Sequence, residues 1–219
     1  MADFNLKVEA GNKLNEHKIY TKKKLLYPDS AYLSYDKFHY ILFPPGILYE
    51  PTSLILKSSK NSVNFGDENI PLQETFKLML PALTNLELEK QYIQRQSGTG
   101  TKYSEGGTIK DGWITARIKS FGDFSVEIDT IPPNIKAKNF SNNTTVGRRK
   151  LSWRISENES GLVDYDIYIN EEWFLLKYEP KSTQFYFDPP KDLKGLKTLV
   201  IRAIDACGNV SNEKFRLTF

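Results

Sequence analysis

Apolar and polar residues alternate with a period of two along most of this chain, the pattern of strands that bury one face. Phe4, Leu6 and Val8 open it as a short strand, and a polar, tyrosine-rich stretch follows over 13–36. Over 37–43, Phe38, Tyr40 and Leu42 share one face, with His39 and Ile41 on the other. Leu54 and Leu56 oppose Ile55 in the same way, and 75–80 forms a further strand. Residues 64–69 read as a loop, and 98–107, rich in Gly, Ser and Thr, as a loop or hairpin tip. Residues 86–94 are helix formers by type, yet they alternate, and the alternation predicts a strand. Trp113, Thr115 and Arg117 then oppose Ile114, Ala116 and Ile118, and Phe124, Val126 and Ile128 close this half.

The pair Pro132-Pro133 marks a domain boundary, because proline donates no hydrogen bond to a sheet and stiffens a connection. The chain therefore divides into domains at 1–130 and 131–219. After the prolines the strand pattern restarts with Leu151, Trp153 and Ile155, then Tyr165, Ile167 and Ile169 alternating with Asp164, Asp166, Tyr168 and Asn170. Asn170-Glu171-Glu172 is a hairpin turn, and 173–178 and 184–187 are strands. The second half yields about seven short strands, the number expected of an immunoglobulin-like sandwich. It closes on a strand ending in Asp205-Ala206-Cys207-Gly208-Asn209 and a return strand over 214–219. Gly208 and Asn209 tolerate positive φ, and Asp205 accepts hydrogen bonds from the amides of its own turn. The fold class is all-β, with two β-sandwich domains, the second immunoglobulin- or fibronectin-like.

Composition agrees with this reading. Of 219 residues, 39% are hydrophobic and 13% aromatic, enough for packed cores and weighted towards strand formers. A net charge of +3 with both signs interspersed argues against a dedicated nucleic-acid binder. The densest basic run, Lys22-Lys23-Lys24, reads as a strand edge guarded against aggregation, or else as a contact to an anionic glycan or lipid surface. Cys207 is the single cysteine, so an internal disulfide is excluded; it reads as a small turn residue. No stretch reaches the ~20 apolar residues of a membrane-spanning helix.

Chemistry-bearing motifs are sparse. The two histidines, His17 and His39, form no H-E-x-x-H or H-x-H, and neither cofactor nor metal is expected. Glu157, Glu159, Asp205 and Asn209 are candidates for a carboxylate or calcium site at one sandwich end, against the simpler reading of turn hydrogen bonds. Trp173, Tyr178 and Tyr186 fall on or near one hairpin and are candidates for stacking on sugar rings, against a place in a core.

Several segments carry a family resemblance: F-P-P-G-I-L-Y-E (43–50), N-I-P-L-Q-E (69–74), the run from Asp111 to Ile135, E-N-E-S-G-L-V-D-Y (157–165), E-W-F-L-L-K-Y-E-P-K (172–181) and D-A-C-G-N (205–209). In this order they resemble the C-terminal, non-catalytic region of lysostaphin-type zinc peptidases of Gram-negative bacteria. In such proteins an upstream peptidase domain carries H-x-x-x-D and H-x-H, which this chain lacks. The resemblance implies a non-catalytic accessory module of a peptidoglycan-processing, peptidase-like protein, and no enzyme activity of its own. It implies a cell-envelope location, periplasmic or outer-membrane associated, reached by an export signal that this chain does not carry. Its partners would be a peptidase domain or another envelope protein, and peptidoglycan itself. The alternative is a cell-wall glycan-binding module using Trp173 and Tyr178.

Overall fold

The computed structural model describes residues 20–60, 62–83 and 87–219. The expected strand at Phe4–Val8, and His17, lie outside them. The chain forms two compact units, the first closing at Ile128 and the second running Asp129–Phe219. The division falls two residues before the boundary expected from the prolines. Asp129 belongs with the second unit because its carboxylate is bonded to Ser160 there.

Strands of the first unit are β1 (Tyr20–Leu26), β2 (Tyr32–Tyr35), β3 (Tyr40–Phe43), β4 (Thr52–Ser58), β5 (Ser62–Phe65), β6 (Phe76–Pro81), β7 (Gln91–Gln96), β8 (Lys102–Gly106), β9 (Thr108–Lys110), β10 (Trp113–Ile118) and β11 (Gly122–Ile128). They form a six-stranded sheet, β1-β4-β5-β11-β7-β8, facing a five-stranded one, β2-β3-β6-β10-β9. Every pairing is antiparallel. Inward residues of both sheets make one core, centred on Phe43, Phe65, Phe76 and Phe121. Their ring centroids lie 5.2–6.0 Å apart, in edge-to-face, tilted and stacked pairs. Gly66 lets the chain turn beneath this cluster. Its φ is +70°, and a Cβ there would come within 2.5 Å of the Phe121 ring.

Three local expectations are corrected here. The loop expected at 64–69 begins inside β5, and the loop or hairpin tip expected at 98–107 contains β8 (Lys102–Gly106). Polar residues suffice at these sites because the outward half of each strand is solvated. Residues 86–94 are not one strand: Leu88–Lys90 is a 3₁₀ turn and β7 starts at Gln91. The side chain of Gln91 accepts from the Leu83 amide and donates to the Leu83 carbonyl, pinning the turn from one side.

The lysine run occupies β1, an edge strand. Lys22 and Lys24 stand opposite Leu56 and Leu54, residues of the buried face, while Lys23 stands opposite Ile55 on the outer one. Lys24 reaches the ring of Tyr32, 5.1 Å from its centroid. Inward-turned charges on an edge strand hinder the addition of another chain's strand.

The second unit contains β12 (Asn134–Ala137), β13 (Thr144–Thr145), β14 (Leu151–Ser156), β15 (Leu162–Ile169), β16 (Glu172–Phe174), β17 (Lys177–Glu179), β18 (Gln184–Phe187), β19 (Leu196–Asp205) and β20 (Val210–Thr218). A four-stranded sheet, β12-β14-β18-β17, faces a five-stranded one, β13-β20-β19-β15-β16, in an immunoglobulin-like sandwich. Trp153, Leu151 and Phe187 from the first sheet bury against Ile167, Leu199 and Ile201 from the second. The expected single strand over 173–178 is broken: β16 pairs with β15 and β17 with β18, and the chain crosses between sheets at Leu175-Leu176. Burial of Leu176 anchors that crossing.

Phe121→Ala removes the ring that touches Phe43, Phe65 and Phe76, and should cost the first unit about 3–5 kcal/mol. Urea unfolding followed by tyrosine fluorescence measures this; a cost below about 1 kcal/mol would mean the site collapses without a cavity.

Candidate functional site

At one end of the second sandwich four polar side chains are buried together: Asp129, Ser160, Asp205 and Asn209. Asp205 closes its own turn, its Oδ1 accepting the amides of Cys207 at 2.9 Å and Asn209 at 2.8 Å. The Asn209 side-chain amide donates to Asp205 Oδ2 at 2.8 Å and to the Asp129 carbonyl at 2.9 Å. Asp129 Oδ2 accepts from the amide and hydroxyl of Ser160, at 3.1 and 2.5 Å, and its Oδ1 from the Ile131 amide at 2.9 Å. Gly208 supplies the φ of +73° that the turn requires. Nearby, Glu157 accepts the amides of Glu159 and Gly161. These carboxylates accept hydrogen bonds from the chain's own donors, as the buried Asp129 and Asp205 require. Among the described residues, no group of three His, Cys, Asp or Glu side chains is placed to hold a metal ion. Asp205, Gly208 and Asn209 thus form a structural turn, and with Asp129 a lock across the sandwich end.

His39 sits in a second polar array, in the β2–β3 hairpin of the first unit. Its Nε2 lies 2.9 Å from Ser34 Oγ and its Nδ1 3.0 Å from Asp36 Oδ1, the latter approach poorly aligned for a hydrogen bond. This is the connectivity of an acyl-transfer relay. The burial is wrong for one: Ser34 is 4% and His39 0% exposed, so a substrate carbonyl has no path to Oγ. Asp36 instead accepts the amides of Phe38 and His39, and Ser58 of β4 donates to its other oxygen. The array is a hairpin clamp. Burial lowers the His39 pKa below its ordinary 6.5; Asp36 opposes that shift and Lys22 of β1 adds to it.

The aromatic candidates separate. Tyr186 projects from the outer face of the four-stranded sheet, opposite Ser152 and Lys177, with Lys150 4.3 Å from its ring centroid. Tyr178 is in register with buried Phe185 and lies against it, centroids 4.7 Å apart, at the rim of the core. Trp173 is on the other sheet, in β16. The sequence placed Trp173 and Tyr178 on one hairpin, but the crossing at Leu175-Leu176 sends them to different sheets.

Trp173 has other neighbours. Register places Trp173, Tyr168, Val200 and Lys214 in one row across β16, β15, β19 and β20. The row faces outward, since Tyr168 and Val200 alternate with buried Ile167, Ile169, Leu199 and Ile201. With strands about 4.8 Å apart, it spans roughly 14 Å. The Trp173 indole N–H donates to Asp166 at 2.8 Å, which fixes the ring while leaving the side chain 55% exposed. Tyr168, Asn170, Glu171, Thr198, Val200 and Lys214 line an open groove of about 580 Å³. Asn170 is bonded to both backbone groups of Thr198, tying the hairpin to β19. Asn170 and Glu171 both have positive φ, 48° and 72°, as a tight hairpin turn requires. Glycine is usual in such a place, so Glu171 holds its carboxylate at the groove mouth at a cost of about 1–2 kcal/mol. The groove offers an aromatic surface, hydroxyl and amide groups, one cation and one anion. Tyr168 was legible as an outward residue of β15; Val200 and Lys214 join it only through register.

The fold defines an all-β protein of two β-sandwich units. Residues 22–129 match the Zu5-like domain family, which places that likeness on the first unit. No curated protein matches the chain. Among solved structures, a similar one is the X-ray structure of the endo-beta-1,4-mannanase from Thermotoga petrophila, with a TM-score of 0.35 and 6% identity over 41% of this chain. This chain covers 20% of the mannanase, and a likeness at that level carries no argument.

Asp205→Ala strands the two turn amides and the Asn209 side chain, and should destabilise the second unit by about 2–4 kcal/mol in urea unfolding. A loss within experimental error would show that water replaces the carboxylate. His39 has a folded pKa below its unfolded one, so its contribution is complete above about pH 6.5 and is lost as pH falls below that. The melting temperature should therefore drop as the pH falls below about 6.5 in the parent protein and drop less in His39→Gln. Identical slopes in the two proteins would remove His39 from the account.

Proposed function

We propose that this chain is a non-catalytic accessory module of a peptidoglycan-processing, peptidase-like protein of the cell envelope, and that its second domain holds a cell-wall glycan. The observation that carries the reading is the outward row Trp173–Tyr168–Val200–Lys214 beside its groove. Aromatic faces stack on the C–H faces of sugar rings, and the groove's amide, hydroxyl and charged groups suit sugar hydroxyls and a pendant carboxylate. The binding group is therefore Trp173 with Tyr168, and Tyr178 and Tyr186 fall out of it. A non-catalytic role is supported by the use made of the buried carboxylates, each of which accepts hydrogen bonds from the chain itself. The link to peptidases and to the envelope rests on the order of the motifs from residue 43 onwards. An upstream peptidase domain or another envelope protein would then be the partner that the module positions.

Soluble peptidoglycan fragments titrated into the protein should change tryptophan fluorescence saturably, and Trp173→Ala should weaken binding by about tenfold, the scale of one lost stacking contact. The same fragments incubated with protein and zinc should remain uncleaved. Silence in the titration would discard the glycan site, and chelator-sensitive cleavage would discard the accessory role.

A further inference from the structure

The first unit carries a surface of different character on the outer face of its five-stranded sheet. Register across β2, β3, β6 and β10 lines up Leu33, Leu42, Lys77 and Arg117 in one row. The next row is Tyr35, Tyr40, Met79 and Thr115. A third adds Trp113, flanked by Pro81 and by Lys110 of β9. These residues alternate with the buried Ile41, Phe43, Leu78, Leu80, Ile114 and Ala116, so they point away from the core. Tyr35 is 68% and Leu33 48% exposed, more than single surface hydrophobics require as neighbours of other apolar groups. Lys77 lies over the Tyr40 ring, 5.7 Å from its centroid.

Charge selects the occupant. The face presents Lys77, Lys110 and Arg117, and among the described residues no strand position of this face carries a carboxylate. Elsewhere the chain mixes signs closely, with 30 basic and 27 acidic residues in all. A one-signed, aromatic sheet face fits an anionic polymer with rings to stack. Charge density then separates two such polymers. Five strands at about 4.8 Å spacing give a face roughly 19 Å wide. A nucleic-acid strand would bring a phosphate about every 3.4 Å, more negative charge than three cations neutralise. A polysaccharide bearing one acidic group per sugar or per pair of sugars matches the spacing better. We infer that the outer face of the β2-β3-β6-β10-β9 sheet binds an acidic polysaccharide, with Tyr35, Tyr40 and Trp113 stacking on sugar rings and Lys77, Arg117 and Lys110 taking its carboxylate or sulfate groups. This site is separate from the Trp173 groove and does not depend on it.

The test uses the full chain, with polygalacturonate oligosaccharides and chondroitin sulfate as probes in calorimetric titration. Saturable binding that weakens with added salt is expected for at least one of them. Lys77→Gln/Arg117→Gln should lose about tenfold in affinity and flatten the salt dependence, as removal of ionic contacts does. Tyr35→Ala should weaken binding with the salt dependence kept. Circular dichroism of each variant confirms that the sheet is retained; all three side chains lie on the surface. No saturable binding to either probe overturns the proposal. So does equal affinity for a neutral cello-oligosaccharide, tighter binding of a deoxythymidine oligonucleotide or polyglutamate, or insensitivity to both sets of substitutions.

Discussion

Asn209 joins its own turn to the chain at Asp129 with one amide group. One N–H goes to the Asp205 carboxylate, the other to the Asp129 carbonyl, and Asp129 in turn holds Ser160. A carboxylate removed from water is tolerated only when donors replace the water. Here the donors come from the β19–β20 turn, from the loop ahead of β15 and from the chain entering β12. Each segment is therefore placed by the others. The entry to the sandwich, its last hairpin and the loop before β15 meet because the alternative is a buried, unsolvated charge.

This arrangement decides what those acidic residues do. Glu157, Asp205 and Asn209 sit where a sequence reader would look for an ion or a proton donor, at the end of a sandwich where loops converge. The carboxylates of Glu157 and Asp205 instead accept from amides of the same chain, the side-chain amide of Asn209 among them. The Ser34–His39–Asp36 array makes the same point in the first unit. Distances alone describe a relay, but burial makes it a clamp. Geometry and access have to agree before a polar cluster is chemistry rather than architecture.

A sandwich strand gives one face to the core and the other to water, so residues two apart gather into rows across neighbouring strands. The rigid sheet holds such rows at fixed spacing without loops. In this chain the rows differ by unit. One ends in Trp173 and Lys214 beside a carboxylate; the other is wholly cationic where it is charged at all. The two faces thus differ in charge although the two units share one fold class.

Much of the fold was written in the period-two pattern, because inward and outward positions of a half-buried strand must differ in polarity. The alternation of Trp113–Ile118, of Tyr165–Ile169 and of the stretch into Asp205 fixed their strands and their buried faces. Turn chemistry did the same for Asp205, Gly208 and Asn209, whose bonds are local. The 3₁₀ turn at Leu88–Lys90 was hidden, since it buries none of its own residues. The hairpin turn returns Trp173 alongside β15, but nothing along the chain could say that Val200 and Lys214 complete its row or that Tyr178 leaves for the other sheet. Nor could it gather three cations from β6, β9 and β10 onto one acid-free face. Those neighbours are set by strand order and register, which arise from the joint burial of distant segments. Alternation tells a residue which way it faces, and only the assembled sheets tell it what stands beside it.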